Sequence, residues 1–106
     1  MSEILVIASL RSTPGDLNAL IAGLSDAIKI SQQEPGALDI SAHRPGDDGD
    51  RLVLVERWAS RESFDEHMGK PHMTAIPTQV GHLLAGPPDV QILQPITIGS
   101  PERDAV

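Results

Sequence analysis

Residues 51–72, RLVLVERWASRESFDEHMGKPH, hold both aromatic residues of the chain, Trp58 and Phe64, and two of its four histidines, His67 and His72. Leu52, Leu54, Glu56 and Trp58 fall at every second position, the period of a strand with one buried face. At Ser60 the period changes. A serine there suits a helix N-cap, and Phe64, His67 and Met68 then recur at i, i+3, i+4, along one face of a short helix. A strand end and a helix face therefore converge on one spot. Two readings of that spot stand side by side: a functional pocket, or a core in which Trp58 and Phe64 are the largest fillers and His67 a hydrogen-bonded, half-buried imidazole.

Upstream, residues 37–43, ALDISAH, alternate Leu38, Ile40 and Ala42 against Asp39, Ser41 and His43, a second strand with two unlike faces. The loop 44–50, RPGDDGD, is rich in turn formers, so the two strands are expected to pair as an antiparallel hairpin. The apolar run Ile4–Leu10 suits a central strand covered on both sides. Thr13-Pro14-Gly15-Asp16 predicts an N-cap with proline at the first helical position, and Leu17, Leu20, Ile21, Leu24 and Ile28 continue at helical spacing to near Gln33.

Downstream, Gly69 and Pro71 stop the short helix. Met73, Ile76, Val80, Leu83 and Leu84 resume helical spacing, with Pro77 tolerated in a first turn that begins near Thr74. Val90–Ile98 alternates as a last strand, which Pro95 confines to an edge or to a subunit boundary because it cannot donate to a ladder. Strand, helix, strand, strand, helix pair, strand is the ferredoxin-like α+β order: a four-stranded antiparallel sheet with helices on one face. One domain spanning 1–98 is expected, with 99–106 as a flexible tail. The sheet face away from the helices carries Val53 and Val55 beside Arg57, so its burial in a homodimer is expected. Arg57 is expected to pair across the strands with Asp39.

The chain has 106 residues with 15 acidic against 8 basic, a net charge of -7, which argues against nucleic acid or an anionic membrane as partner. Zero cysteines exclude disulfides, a thiol nucleophile and thiolate metal sites. Met-Ser-Glu runs straight into a short apolar stretch with neither the flank of a signal peptide nor the length of a membrane span, and the cytoplasm is the expected location. No glycine pattern for a nucleotide phosphate occurs, so no such cofactor is expected.

Among candidate groups, Glu56 lies on the same strand face as Trp58. Burial there raises a carboxyl pKa and makes it a base near neutrality. His67 reaches the same side from the helix as an acid-base candidate. His72, just past Pro71, either supports it or bonds backbone groups at the helix ends. Five residues separate the two histidines, about 140° around a continuous helix, whereas a helical two-histidine metal site uses i, i+4. No metal site is therefore expected unless the chain bends at Pro71. His43 and His82 have no assignable partner and are expected in solvent.

The runs EPGALDISAH (34–43), DRLVLVERWASRESFDEHMGKPHMTAI (50–76) and LLAGPPDVQILQPI (83–96) resemble the antibiotic biosynthesis monooxygenase domain family, over residues 3–98. The resemblance implies a dimeric α+β barrel with a pocket between sheet and helices in each subunit. It implies cofactor-independent oxygenation of a quinol or aromatic polyketide-like substrate that supplies its own electrons. Carried over to this chain, His67, Glu56 and Trp58 are the catalytic candidates. Trp58, Phe64, Met68, His72, Ile40 and Leu54 are the expected contacts to a small aromatic molecule, with Ser9 or Arg11 as further donors. The chain departs from the oxygenase members in having no tyrosine, in placing its only asparagine, Asn18, in the first helix, and in carrying Ile40 where relatives are often aromatic. Two alternatives follow: a haem-degrading relative with His67 on the iron, or a non-catalytic binding or stress-associated barrel. Solvent access to Trp58 separates these readings, and Trp58 is expected to line a cavity.

Overall fold

The computed structural model describes residues 2–100 and 102. In chain order it contains β1 (Ile4–Arg11), α1 (Leu17–Ser31), β2 (Ala37–His43), β3 (Arg51–Trp58), α2 (Arg61–Met68), two short helices α3 (Pro71–Thr74) and α4 (Ile76–Val80), a 3-10 turn (Gly81–Leu83) and β4 (Asp89–Leu93). The strands form one sheet in the order β2-β3-β1-β4, every neighbouring pair antiparallel. This is the expected ferredoxin-like α+β fold. The tail foreseen at 99–106 falls mostly outside the described residues.

Period-two patterning sets the two faces of the sheet. Cross-strand pairs Ile4↔Trp58, Val6↔Glu56, Ala8↔Leu54 and Leu10↔Leu52 share the helix-facing side, with Ile40 of β2 next to Glu56. One apolar cluster, Leu10, Leu17, Leu20, Leu24, Leu52 and Val80, packs α1 and α4 onto one end of that side. A second, Ile4, Val6, Ile40, Trp58 and Phe64, packs α2 onto the other end. Leu20 and Trp58 are wholly buried. Loss of water contact by such side chains is the main driving force for closing the two layers.

Local chemistry departs from the sequence reading at four places. Thr13-Pro14-Gly15-Asp16 does not cap the first helix; it forms a β-turn with Gly15 at φ 81° and Asp16 N–H donating to the Thr13 carbonyl at 3.0 Å. Proline followed by a left-handed glycine is the requirement of a type II turn, and that glycine conformation keeps α1 from starting before Leu17. In β2 a bulge between Ala37 and Asp39 turns Leu38 outward, 46% exposed, while Ile40 stays inside. The helix foreseen from about Thr74 to Leu84 is instead α4 followed by the 3-10 turn, with the one-turn helix α3 ahead of it; Pro71 and Pro77 each sit in a first turn, where a missing N–H does least harm. β4 ends at Leu93 rather than Ile98, ahead of Pro95.

Ser60 does cap α2, accepting from Ser63 N–H at 3.1 Å. Arg57 faces Asp39 across the ladder, yet its guanidinium donates to Glu3 Oε2 at 2.8 Å, so the foreseen Arg57–Asp39 pair is not the one made.

Candidate functional site

Between the sheet and the helices lies a cavity of about 220 Å³. Its sheet floor includes Val6, Ile40, Leu54 and Glu56; Phe64, His67 and Met68 come from α2, and Met73, Ile76 and Pro77 from the short helices that roof it. Ser31, Glu56 and His67 are the polar residues in an otherwise apolar lining. Ile40, Leu54, Phe64 and Met68 are thus placed on the cavity wall, as are Glu56 and His67. Two candidates are not. Trp58 is 0% exposed and lies behind the wall, which corrects the expectation that the indole lines the cavity. His72 also lies behind it, joined to His67 through another residue. Arg11 is engaged with Asp48 at the surface, and Ser9 lies on the opposite sheet face, so neither donates into the cavity.

Trp58 is buried by packing against Ile4, Phe64 and the His67 ring, and its one polar atom finds a partner in that dry site. Glu56 and Trp58 are two apart on β3, so both side chains rise from the same face, and the indole Nε1–H donates to Glu56 Oε1 at 2.9 Å. That bond satisfies the indole in the dry interior and aims the carboxyl. Flanked across the sheet by Val6 and Ile40, Glu56 is 5% exposed. Burial pushes its carboxyl above the ordinary value of 4.5, against smaller opposing effects from the Trp58 hydrogen bond and His67.

A pH prediction follows, with its sign fixed by the direction of that shift. A carboxyl whose folded pKa lies above its unfolded one binds its proton more tightly when folded. Its contribution to stability is complete below pH 4.5 and declines as pH rises through the raised folded pKa. Glu56→Gln is expected to remove that decline, so wild-type and variant urea midpoints measured from pH 4 to 8 should diverge as pH rises. Parallel curves would contradict it.

The helix side of the cavity is organised by Glu34, which the sequence reading quoted but did not place in the site. Glu34 follows α1 in the turn ahead of Pro35-Gly36, with its N–H donating to the Ser31 carbonyl. Its Oε2 accepts from His67 Nδ1–H at 2.7 Å and from His72 Nε2–H at 3.0 Å. His72 Nε2 also lies 3.1 Å from Ser31 Oγ, whose own hydroxyl donates to the Ala27 carbonyl. Gly69 and Pro71 break the helical path between the histidines, and this lets side chains five apart reach one oxygen. The ring of His67 also packs on the indole of Trp58, centroids 4.5 Å apart.

Because a carboxylate only accepts, neutral His67 carries its proton on Nδ1 and keeps a lone pair on Nε2. That Nε2 has no protein partner among the described residues, nor has Glu56 Oε2, and no buried side-chain nitrogen or oxygen there is left unsatisfied. Both atoms therefore keep open contact with the cavity. His43 and His82 are exposed, as expected, but His43 does have a partner, Ser41 Oγ at 2.9 Å from its Nε2.

Fold and site together define a ferredoxin-like α+β domain with a small apolar cavity between its layers, served by one carboxyl and one carboxylate-held imidazole. The family model described as antibiotic biosynthesis monooxygenase matches residues 3–78, and the chain belongs to that family. A curated relative from Mycobacterium tuberculosis, "Putative monooxygenase Rv0793", is 38% identical over 95 residues, covering 90% of this chain and 93% of the relative. The solved structure of Rv0793 superimposes with a TM-score of 0.82 over 93% of this chain and all of that one. A Pseudomonas aeruginosa structure, PA3566, shares the fold at a TM-score of 0.83 and 21% identity, over 92% of this chain and 97% of its own. No helix among the described residues is long and apolar enough to cross a membrane.

Proposed function

We propose that the chain is a cofactor-independent monooxygenase acting on a small quinol, with Glu56 and His67 as the proton-handling pair. The observation that carries this reading is the apolar cavity into which only Ser31, Glu56 and His67 bring polar groups. An apolar wall with few placed polar groups orients a phenolic ring and excludes water from a reactive anion. His67 Nε2 takes the phenolic proton while Glu34 holds the imidazole in the required tautomer. The electron-rich anion then reacts with O₂: a substrate C–H is replaced by a C–O bond, the O–O bond breaks, the second oxygen atom leaves as water with the two hydrogens the substrate loses, and the substrate supplies all four electrons. Glu56 shuttles a proton to the reduced oxygen. A cavity of about 220 Å³ exceeds the ~150 Å³ that holds benzene and falls below the ~300 Å³ of ordinary ligand sites, which favours a one- or two-ring quinol over a larger polyketide or a haem.

The test is oxygen consumption by metal-free protein with one-, two- and three-ring hydroquinones and anthrones, together with product mass. Uptake with the smaller quinols, with one oxygen atom added to the product, is expected. No uptake above buffer with any of them overturns the reading in favour of a non-catalytic binding domain. That second reading is supported by the burial of Trp58, which packs as core.

The functional unit we propose is a homodimer in the cytoplasm. Leu5, Ile7, Val53 and Val55 share the sheet face away from the helices and are only half-buried within one chain. A second copy of this face would bury these half-exposed apolar side chains, which one chain leaves in contact with water. Light scattering at micromolar concentration is expected to give twice the chain mass, and Val55→Asp the chain mass with an unchanged circular dichroism spectrum. A folded wild-type monomer contradicts the dimer.

A further inference from the structure

We infer that Glu34, His67 and His72 form a binding site for a divalent transition-metal ion of the zinc type. The three come from separate pieces of chain, the turn after α1, α2 and α3, yet their donor atoms lie within 4.8 Å of one another. Two imidazole nitrogens and one carboxylate oxygen are a donor set that zinc accepts, with a fourth position left for water or a further oxygen. Ser31 Oγ lies 3.1 Å from His72 Nε2, next to the cluster.

A second observation points the same way. Side-chain exposure is 3% for His67, 9% for Glu34 and 12% for His72, so the carboxylate is largely out of water. Among the described residues it has no lysine or arginine partner; the two imidazoles are its ion-pair partners. A buried carboxylate without a fixed positive charge is poorly compensated, and a divalent ion supplies that charge. Hydrogen bonding alone is the competing account of the cluster, and the distances of 2.7 and 3.0 Å are those of hydrogen bonds. Zinc bonds of about 2.0–2.1 Å in tetrahedral geometry set ligands about 3.4 Å apart. Loading therefore eases the carboxylate off the nitrogens while His72, the most exposed of the three and borne on a four-residue helix, swings inward.

Metal on His67 Nδ1 obliges the ring proton to sit on Nε2, the nitrogen that faces the cavity. The ion would thereby turn an acceptor at the cavity wall into a donor. Metal binding would thus take from His67 the role of base, so the oxygenase reading belongs to the metal-free protein, and the metal site is testable without a substrate.

The experiment is calorimetric titration of the metal-free full chain with Zn²⁺, paired with Co²⁺ titration followed by Trp58 emission, since the His67 ring packs 4.5 Å from the indole. One equivalent of saturable Zn²⁺ binding and quenching of Trp58 by Co²⁺ are expected. Glu34→Gln, which keeps an acceptor for both imidazoles, and His72→Ala should each weaken binding by more than about tenfold, given that even partners outside a ligand set are worth about 10–100-fold. Circular dichroism confirms that each variant is folded, and His43→Ala with His82→Ala should bind as the wild type does. Absence of one-equivalent binding, or binding that survives both Glu34→Gln and His72→Ala, overturns the inference.

Discussion

Trp58→Ala is expected to lower the unfolding free energy by about 3–5 kcal/mol, the usual range for removing a large buried aromatic side chain. Folded domains are stable by only about 5–15 kcal/mol, so this variant should unfold at a far lower urea concentration or fail to accumulate. Two losses combine at this position. The wholly buried indole leaves a void between Ile4, Phe64 and the His67 ring, and Glu56 Oε1 loses its donor. Trp58→Phe separates them. It keeps most of the packing and deletes the N–H, at about 1–3 kcal/mol for the unpaired acceptor, and it raises the Glu56 pKa further because the bond that lowers it is gone. A Trp58→Ala protein with a wild-type urea midpoint would contradict the placement of this residue.

His67→Gln should reduce quinol-dependent oxygen uptake by about 10²–10⁴-fold, the range for loss of a positioned base. Glutamine retains a side chain of similar reach that can still bond Glu34, so folding should change far less than turnover. The loss should fall on kcat more than on KM, because the surrounding apolar wall of Ile40, Leu54 and Phe64 that holds a ring remains in place. Full turnover in the variant would move the proton-handling role away from this imidazole, leaving Glu56 as the cavity's remaining candidate.

The strands and the main helix were legible because each rests on local periodicity. The β3 alternation put Glu56 and Trp58 on one face, and the Ser60 cap and Phe64-His67-Met68 spacing placed α2. What misled was chemistry carried by single residues. Gly15 at positive φ makes a turn out of an apparent helix start, and the bulge at Leu38 reverses one side chain of an alternating strand. The site was half legible for the same reason. Glu56 and His67 could be placed from spacing, but Glu34 is 33 residues from His67 and no local pattern joins them. The indole was expected on the wall because β3 ends there, opposite the small gap at Met68-Gly69, and because the family resemblance implies it. Packing against Ile4, Phe64 and the His67 ring holds it in the core instead, with Glu56 two residues back accepting its N–H.

The roof of the cavity consists of α3 and α4, helices of four and five residues separated by Ala75. A helix of one turn has almost no internal cohesion, because nucleation is barely repaid by so few bonds. The floor, by contrast, is an antiparallel sheet whose central strands are paired along their whole length. Local opening free energies should therefore differ sharply across the cavity, with amide hydrogens of residues 71–80 exchanging through small local openings and those of β1 and β3 only through global unfolding. Traffic of a molecule into the cavity then needs no hinge and no second resting state of the domain. Met68, Pro88 and Val90 on the lining are exposed, so the cavity already meets solvent there; loosening of the two short turns would widen that mouth, and substitutions in the roof should alter how fast ligands come and go before they alter how tightly ligands are held.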